Sequence, residues 1–524
     1  MLGAMQEWDL VMSHAIDHAA REHGDREIVT LWSDRSETRT DWRGIHHDAK
    51  RLAEALRAMG IQKGERVATL AMNHAHHLSS FYGITGMGGV VHTLNPRLFA
   101  DQLAYIVNHA ESRVLFYDVA FKPLVDAMKE HWKTVDHYVC FDNGEYTDLL
   151  DQHDGTSEWT KLDERDPLLL CYTSGTTGDP KGVLYNHRGN MLHSMASLQT
   201  SSFGFEPRSV MLPVVPMFHA NGWGIPWAAP MGGAKLAFST IYEPDVLLDF
   251  MHREKVTQSA GVPTVWLGLF QYMEATGKSL PDTLDMAVIG GAAAPRAMVE
   301  KLMEMGCEVG HAWGMTETSP IGTVGMVPAE WEDMSFDERA ARKTMQGKPL
   351  FGTEIRLVDL DDHSTELPRD GETSGALQIR GAWVVKRYFK QDEDCVNEDN
   401  WFDTGDVGVI HPHGTLELTD RTKDLIKSGG EWISSVELEN AAVGHPAVAE
   451  AAAFAIPDLK WDERPMLALV LKDGKSCDQA EMQEFLKDKV AKWWIPERIV
   501  VLDEIPHTAT GKISKKDLRA TYSD

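Results

Sequence analysis

Apolar and polar positions follow two rhythms along the first two thirds of the chain. Short β-branched runs such as Arg66–Ala71 and Val114–Tyr117 have the length of strands, whereas Arg51–Met59 and Gln102–Ala110 have the spacing of amphipathic helices. The alternation continues further along the chain, with strand-like runs at Val210–Val215, Lys235–Phe238, Gln258–Gly261, Met286–Ile289 and Glu308–His311, and helix-like runs at Asp245–Glu254, Thr264–Thr276 and Arg296–Met305. This order predicts an α/β region with parallel strands in doubly wound sheets, joined by right-handed crossovers.

The pattern changes at about Gly347. Short strands separated by turns predict a small β module, with runs at Glu354–Val358, Ala376–Arg380 and Thr415–Leu418. The charged segment Asp420–Asp424 is typical of an inter-domain joint. Beyond it, further strand and helix patterns occur at Val448–Ile456, Met466–Leu471 and Gln479–Val490. We therefore expect a large N-terminal domain over residues 1–419 and a small, mobile α+β domain over residues 420–524.

Composition narrows the class of protein. The 524 residues are too many for one core, and a hydrophobic content of 43% with 25% charged residues is ordinary for a globular protein. The 79 acidic against 51 basic residues argue against nucleic acid as the main partner. Five widely spaced cysteines without a CxxC pair favour a reducing compartment. With no basic leader and no long uncharged apolar stretch, the sequence predicts a cytoplasmic protein without a transmembrane segment.

One polar segment, Tyr172–Val183, directly follows the apolar run Leu168–Cys171. It combines glycines, hydroxyl side chains and Lys181. Glycines allow backbone N–H groups to approach an anion, hydroxyls donate further hydrogen bonds, and a lysine adds positive charge. The segment therefore predicts a phosphate-binding loop at the end of a strand.

Other nucleotide and hydrolase motifs fail on spacing. A Walker loop needs a glycine five residues before Gly-Lys-Ser/Thr, but the two Gly-Lys-Ser sequences have Tyr272 and Leu469 there. Gly222-Trp-Gly continues to Trp227 where a dinucleotide fingerprint requires glycine. A nucleophile elbow around Ser174 would need glycine in place of Tyr172.

Five motifs in one order resemble the acyl-adenylate-forming superfamily, which includes acyl-CoA synthetases, luciferases and peptide-synthetase adenylation domains. They are Tyr172–Val183, Trp313–Glu317, Thr404–Asp406, Asp420–Asp424 and Thr510–Lys512. Within the superfamily, Pro216–Trp223 and Asp424–Ser435 resemble the medium- and long-chain fatty acyl-CoA synthetase branch. The resemblance spans nearly the whole chain.

The resemblance implies an enzyme, an AMP-forming carboxylic acid–CoA ligase that uses ATP, Mg²⁺ and coenzyme A. Lys512 would bridge the substrate carboxylate and the α-phosphate, and Thr176 and Glu317 would hold the metal. Asp406 would bind the ribose, and Trp313, where the family usually has tyrosine, would stack on adenine. The residues assigned to ATP by the resemblance are Thr173, Ser174, Gly175, Thr177, Lys181, Gly291, Ala292, His311, Ala312, Trp313, Gly314, Thr316, Asp406, Arg421, Lys423 and Lys427.

The second half-reaction implies a movement of the small domain. By resemblance, rotation about a hinge at Asp420 carries Lys512 away and brings a loop to the coenzyme A thiol. That loop contains Gly429, Gly430, Glu431 and Trp432. Trp432 is equally compatible with a role as a core anchor, and relatives in the family are often homodimers.

The acyl pocket is assigned by resemblance to His219, Trp223, Gly261, Val262 and Gly290, with Trp223 in the place of a gating tryptophan. No charged residue interrupts the stretch from 222 to 233, which favours an apolar acyl chain over an amino acid. We expect a medium- to long-chain fatty acid. The alternatives are a short functionalised acid such as methylmercaptopropionate, an aryl-alkyl acid and, more remotely, a non-catalytic acyl- or adenylate-binding regulator.

Three neighbouring histidines, His74, His76 and His77, could suggest a metal site. No carboxylate or cysteine stands near them in the sequence at ligand spacing. We therefore expect a solvated loop or the start of a helix.

Overall fold

The computed structural model describes residues 3–173, 179–325, 328–331, 333–429, 431–458, 460–507 and 513–522, without the side chains of Glu330 and Glu431. The chain forms two compact units. The first comprises residues 1–354 and 379–402, and the second comprises residues 355–378 and 403–524.

The first unit contains twelve α-helices among the residues described. They are α1 (Ser13–Glu22), α2 (Trp42–Ala58), α3 (Ala75–Gly86), α4 (Ala100–Ala110), α5 (Lys122–Met128), α6 (Glu145–Leu150), α7 (His187–Ser197), α8 (Ile225–Gly232), α9 (Pro244–Glu254), α10 (Pro263–Thr276), α11 (Arg296–Glu304) and α12 (Phe336–Lys343). Helix α2 begins nine residues before the predicted run because Asp41 accepts a hydrogen bond from the Gly44 N–H at 2.8 Å and so caps its first turn.

A nine-stranded sheet in the first unit positions several of the predicted site segments. Its strands are β1 (Glu27–Leu31), β2 (Glu37–Asp41), β9 (Val210–Pro213), β10 (Lys235–Ser239), β11 (Gln258–Gly261), β12 (Met286–Ile289), β13 (Glu308–Gly314), β14 (Ile321–Val324) and β15 (Lys348–Pro349). The order is β15-β14-β13-β12-β11-β9-β10-β1-β2. Strands β13, β12, β11, β9, β10 and β1 are parallel, as the alternation of strands and helices predicts.

A six-stranded sheet forms the other layer of strands in this unit. It consists of β3 (Arg66–Leu70), β4 (Val90–Thr93), β5 (Ser112–Tyr117), β6 (His137–Cys140), β7 (Pro167–Tyr172) and β8 (Gly182–Asn186), in the order β6-β5-β3-β4-β7-β8. Strand β8 returns antiparallel to β7. The predicted phosphate loop therefore joins two hydrogen-bonded strands.

The second unit has two sheets and three α-helices among its described residues. The first is a four-stranded sheet, and most residues of each strand lie in this unit. In order, its strands are β16 (Thr353–Val358), β17 (Gly375–Gly381), β18 (Phe402–Ile410) and β19 (Leu416–Arg421). The other sheet contains β20 (Ile426–Ser428), β21 (Glu431–Ile433), β22 (Val448–Asp458), β23 (Asp462–Leu471) and β24 (Arg498–Val501), and it packs with α13 (Ser435–Val443), α14 (Gln479–Leu486) and α15 (Lys515–Tyr522).

The expectation of a solvated site for the three histidines is wrong. His74 and His77 are 0% exposed, and His74 caps the N-terminus of α3 by accepting a hydrogen bond from the His77 N–H. The start of a helix is confirmed. A carboxylate that is distant in the sequence, Asp118, lies 2.9 Å from His74 Nε2, and burial lowers the pKa of His77 to about 3.

The boundary expected between the large and the small domain at Asp420 depends on a movement of the small domain about that residue, and it stays a prediction.

Among the described helices, none combines the length and the apolar character needed to cross a membrane.

Candidate active site

The phosphate loop leaves β7 and returns along β8, so its two ends are held together by the sheet. The Thr173 N–H donates to the Lys181 carbonyl at 2.9 Å, and the Lys181 N–H donates to Thr173 Oγ1 at 3.3 Å. The Lys181 ammonium lies 4.9 Å from the centre of the Tyr388 ring. Four predicted residues, Ser174, Gly175, Thr176 and Thr177, lie outside the described residues.

The segment that carries Glu317 follows β13 and is tightly held. A Cβ atom at Gly314 would lie 1.9 Å from the Pro320 carbonyl oxygen, so only glycine fits at this turn. The Tyr185 hydroxyl donates to the Thr316 carbonyl at 2.6 Å, and the Val385 N–H donates to the Glu317 carbonyl at 2.8 Å. These bonds fix the backbone on both sides of the predicted metal-binding carboxylate.

The carboxylate of Glu317 is buried, with 6% of the residue exposed. Its Oε1 accepts a hydrogen bond from the Tyr388 hydroxyl at 2.8 Å. A buried carboxylate needs such partners, because its charge is costly to remove from water. Sequence reasoning missed Tyr388, which is 71 residues from Glu317 and has no motif around it that indicates this contact.

Trp223 stands in an unusual turn just beyond β9. Asn221, Gly222 and Trp223 have φ values of 50°, 64° and 57°, so two residues that are not glycine adopt the left-handed conformation. Such strain persists where the surrounding structure compensates for it, and it occurs often at ligand sites. Trp223 itself is 7% exposed.

The indole of Trp223 packs against the turn after β12. A Cβ atom at Gly290 would lie 2.9 Å from Trp223 Cη2, and one at Gly291 would lie 3.3 Å from Val262 Cγ1 and 4.0 Å from Trp223 Cζ2. The structure thus brings four of the predicted residues together at the carboxyl ends of neighbouring parallel strands, where ligands of such sheets bind. Of the other two predicted pocket residues, Gly261 ends β11, and His219 is exposed.

His311 is a buried, neutral residue next to Ala292. Burial lowers its pKa, and Nδ1 lies 2.7 Å from the Thr344 carbonyl oxygen, which assigns the ring proton to Nδ1. Nε2 lies 3.4 Å from the Ala292 carbonyl oxygen. Ala312 and Trp313 continue β13 and are 8% and 7% exposed. Trp313 packs so closely on Gly322 that a Cβ atom there would lie 2.5 Å from its ring.

In the second unit, Asp406 and Arg421 lie opposite each other on β18 and β19. Asp406 is 6% exposed, and its Oδ1 lies 3.3 Å from Arg421 Nε. The Asp406 N–H donates to Thr404 Oγ1 at 3.1 Å, which orients the start of this turn. The predicted ribose-binding carboxylate is therefore held next to a guanidinium group.

Asp420 is buried at the end of β19 and holds the first turn of α13. Its carboxylate accepts hydrogen bonds from the N–H and the Oγ of Ser435. The Lys515 ammonium lies 2.6 Å from Ser435 Oγ and 2.8 Å from the Glu439 carboxylate. The predicted hinge residue thus has its side chain bonded to groups that follow it in the chain.

Two other predicted ATP residues differ in environment. Burial lowers the pKa of Lys423. The Lys427 ammonium pairs with Asp361 at 2.9 Å, which raises its pKa, and it also lies 4.7 Å from the centre of the Trp432 ring.

The loop assigned to the coenzyme A step begins at Gly429, which has a φ of 64°. Its N–H donates to the Trp461 carbonyl at 2.7 Å, and a Cβ atom would lie 2.8 Å from Trp461 Cε3. Sequence reasoning missed Trp461. Gly430, the side chain of Glu431 and the predicted catalytic Lys512 lie outside the described residues.

The donors predicted for Mg²⁺ are a carboxylate, a hydroxyl and phosphate oxygens, which are the hard oxygen ligands that this ion prefers. Glu317 fits such a role because its carboxylate is buried and its position is fixed at the backbone and at Oε1.

Comparison with protein families and known proteins gives consistent matches over both units. The family described as AMP-binding enzyme matches residues 16–389, and the AMP-binding enzyme C-terminal domain matches residues 437–512.

A 3-methylmercaptopropionyl-CoA ligase of Ruegeria lacuscaerulensis is 44% identical, over 100% of this chain and 99% of its own. A medium-chain-fatty-acid–CoA ligase of Ectopseudomonas oleovorans is 41% identical, over 100% and 98%. The structure of o-succinylbenzoate CoA synthetase from Bacillus subtilis, in complex with an acyl-adenylate intermediate, superposes with a TM-score of 0.83 at 26% identity, over 98% of this chain and 99% of that one.

Proposed function

We propose that this chain, which belongs to the AMP-binding enzyme family and is an AMP-forming acyl-CoA synthetase, prefers a short carboxylic acid as its substrate. The enzyme uses ATP, Mg²⁺ and coenzyme A. The acid would be about the size of butyrate or 3-methylthiopropionate. This choice replaces the medium- to long-chain fatty acid that the motifs led us to expect.

The observation that carries the proposal is the packing of Trp223 on Gly290. The indole lies so close to this turn that not even a Cβ atom fits between them without a shift. An acyl chain lying beside Val262 and Gly291 would therefore meet the edge of the tryptophan ring. A long acyl chain would have to displace the large side chain of Trp223, of which only 7% is exposed.

A further contact lies at the neighbouring Gly261. A Cβ atom there would lie 3.4 Å from Val214 Cβ and 3.9 Å from Trp266 Nε1, so a methyl group would be in van der Waals contact with both. Trp266 is 1% exposed and belongs to a large core cluster with Val214. The apolar surroundings offer a bound acid no partner for an ammonium group among the described pocket residues, which disfavours amino acids.

The first half-reaction requires a weak nucleophile to approach a highly charged phosphate. A carboxylate oxygen attacks the α-phosphorus, and the bond to the β-phosphate oxygen breaks to release pyrophosphate. Lys512 would neutralise the charge between the carboxylate and the α-phosphate, and Lys181 would contact the leaving pyrophosphate. Bound Mg²⁺, held by Glu317 and Thr176, would supply charge neutralisation on the phosphate oxygens.

The ribose and the adenine of ATP would each be bound by residues that the resemblance assigns to them. The Asp406 carboxylate would accept hydrogen bonds from the ribose hydroxyls, with Arg421 orienting it. Neutral His311 donates from Nδ1 to the Thr344 carbonyl, and its ring lies next to Ala292 without adding charge. Trp313 would stack on the adenine.

In the second half-reaction, the sulfur of coenzyme A attacks the acyl carbonyl carbon, and AMP leaves. We assign the thiol approach to the loop from Gly429 to Trp432. Gly429 packs directly on Trp461, which leaves no room for a side chain and fixes the start of this loop. The hinge at Asp420 and a homodimer belong to the same proposal.

A panel of acids tests the substrate. The purified protein is given ATP, Mg²⁺ and coenzyme A with propionate, butyrate, pentanoate, 3-methylthiopropionate, octanoate and dodecanoate, and acyl-CoA and AMP are measured. We expect the highest kcat/KM among the short acids, with AMP and acyl-CoA formed in equal amounts. A maximum at octanoate or dodecanoate would refute the short pocket.

The second candidate is a medium-chain acid. The 41% identity to the medium-chain ligase of Ectopseudomonas oleovorans favours it. It requires the Trp223 side chain to turn away from Gly290 when the acid binds. The same panel separates the two, because the rate would then rise from pentanoate to octanoate.

A further inference from the structure

Tyr388 lies between two groups that the proposed function places on ATP and its metal. Its hydroxyl is 2.8 Å from Glu317 Oε1, and the centre of its ring is 4.9 Å from the Lys181 ammonium. Both Tyr388 and Glu317 are buried, at 9% and 6% exposed. No motif in the sequence assigns a role to this tyrosine.

The hydrogen bond has a defined direction. The Tyr388 hydroxyl donates, and the Glu317 carboxylate oxygen accepts. A carboxylate that receives such a bond on one oxygen cannot rotate freely, and the direction of its other oxygen is then set. The bonds from Tyr185 to Thr316 and from Val385 to Glu317 hold the backbone in the same way.

We propose that Tyr388 is a positioning residue for the metal site: its hydroxyl fixes Oε1 of Glu317 so that the carboxylate presents its other oxygen to Mg²⁺, while its ring steadies Lys181. The inference rests on the proposed function, because it takes Glu317 as the metal ligand. Groups that orient a metal-binding carboxylate are worth about 10- to 100-fold in metal affinity.

The ring and the hydroxyl make separable contributions. Tyr388→Phe removes only the bond to Glu317 and keeps the aromatic face beside Lys181. Tyr388→Leu removes both. The phenylalanine variant should therefore weaken metal binding alone, and the leucine variant should also weaken binding of the nucleotide.

The test is a titration of the whole protein with Mn²⁺ in the presence of α,β-methylene-ATP. Electron paramagnetic resonance measures the fraction of Mn²⁺ that is bound. Tyr146→Phe is the matched control, since Tyr146 is 0% exposed and its hydroxyl bonds Ser79 at 2.9 Å, away from the predicted site residues. We expect the dissociation constant for Mn²⁺ to rise about 10- to 100-fold in Tyr388→Phe and to stay unchanged in the control.

Thermal melting checks that Tyr388→Phe and Tyr388→Leu are folded. A double-mutant comparison tests whether Tyr388 acts through Glu317. In a Glu317→Gln background, Tyr388→Phe should produce no further loss of Mn²⁺ affinity. Wild-type affinity in Tyr388→Phe, or an equal further loss in the Glu317→Gln background, would overturn the role of Tyr388. If the wild-type protein with nucleotide bound no Mn²⁺ at all, the metal assignment in the proposed function would fail as well.

Discussion

Replacing Trp223 with glycine should convert a short acyl pocket into a longer one. Trp223 has a φ of 57°, a conformation that glycine adopts without strain, so this substitution keeps the turn while removing the whole indole. The space next to Gly290 and Gly291, which the ring fills, becomes available to the acyl chain.

The magnitude follows from the burial of apolar surface. Each methylene group moved from water into an apolar site contributes about 0.8 kcal/mol, which corresponds to a factor of about four in kcat/KM. Octanoate has three methylene groups more than pentanoate. The ratio of their kcat/KM values should thus rise about 60-fold in Trp223→Gly relative to wild type.

The variant will be less stable than the wild-type protein. Loss of a buried tryptophan costs about 3 to 5 kcal/mol, and relief of the left-handed backbone returns about 1 kcal/mol. The assay is therefore run below the melting transition, with coupled detection of AMP and chromatography of the acyl-CoA products.

A second substitution checks that the ring is the cause. A methyl group at Gly290 would lie 2.9 Å from Trp223 Cη2 and 3.0 Å from the Ala312 carbonyl oxygen. Gly290→Ala should therefore impair the wild-type enzyme and should be less harmful in the Trp223→Gly background, where only the contact with Ala312 remains. An octanoate-to-pentanoate ratio that does not change in Trp223→Gly would refute the pocket described for this enzyme.

Three further substitutions and one pH dependence follow from the same structure. Lys512→Ala should nearly abolish acyl-adenylate formation, measured by pyrophosphate exchange, and spare thioester formation from supplied acyl-AMP; equal loss of both would show that the assignment is wrong. Gly429→Ala should spare acyl-adenylate formation and impair thioester formation, because its Cβ atom would lie 2.8 Å from Trp461 Cε3 and φ is 64°. Gly474→Ala, at φ 70° with open space around it, is the matched control for backbone strain. Three buried histidines have pKa values lowered by burial to about 3, so the folded state keeps them neutral while the unfolded state gains protons as the pH falls below about 6.5: His77, His92 and His193. Stability should therefore be fully present above that pH and fall by about 1.4 kcal/mol per pH unit for each residue below it; urea unfolding between neutral and mildly acidic pH measures this, and a flat profile would contradict it.

Much of the fold could be predicted from local pattern. Strands β11 and β12 have the predicted bounds, and the parallel order of the central strands agrees with the alternation of strands and helices. Helix α14 is shorter than its apolar pattern predicts: it ends at Leu486, four residues before the expected end at Val490. Strand β18 was not predicted, since Gly405 at a φ of 70° interrupts its sequence pattern.

The finer features of the candidate site could not be predicted, because they depend on contacts between distant residues. The indole of Trp223 follows a left-handed turn and packs on Gly290, which has no side chain to meet the ring. The partner of Glu317 is 71 residues away, and Asp118 is 44 residues from His74. Motif order indicates which residue types are present, but packing decides what each of them contacts.

The most direct test of the central claim uses 3-methylthiopropionate labelled with oxygen-18 in both carboxylate oxygens. If a short acid is activated as an acyl-adenylate, the products with ATP and coenzyme A are AMP carrying one labelled oxygen, unlabelled pyrophosphate, and the acyl-CoA thioester carrying the other. We predict this distribution at a rate well above that with labelled dodecanoate. Unlabelled AMP, formation of ADP and phosphate, or a faster reaction with dodecanoate would contradict the account.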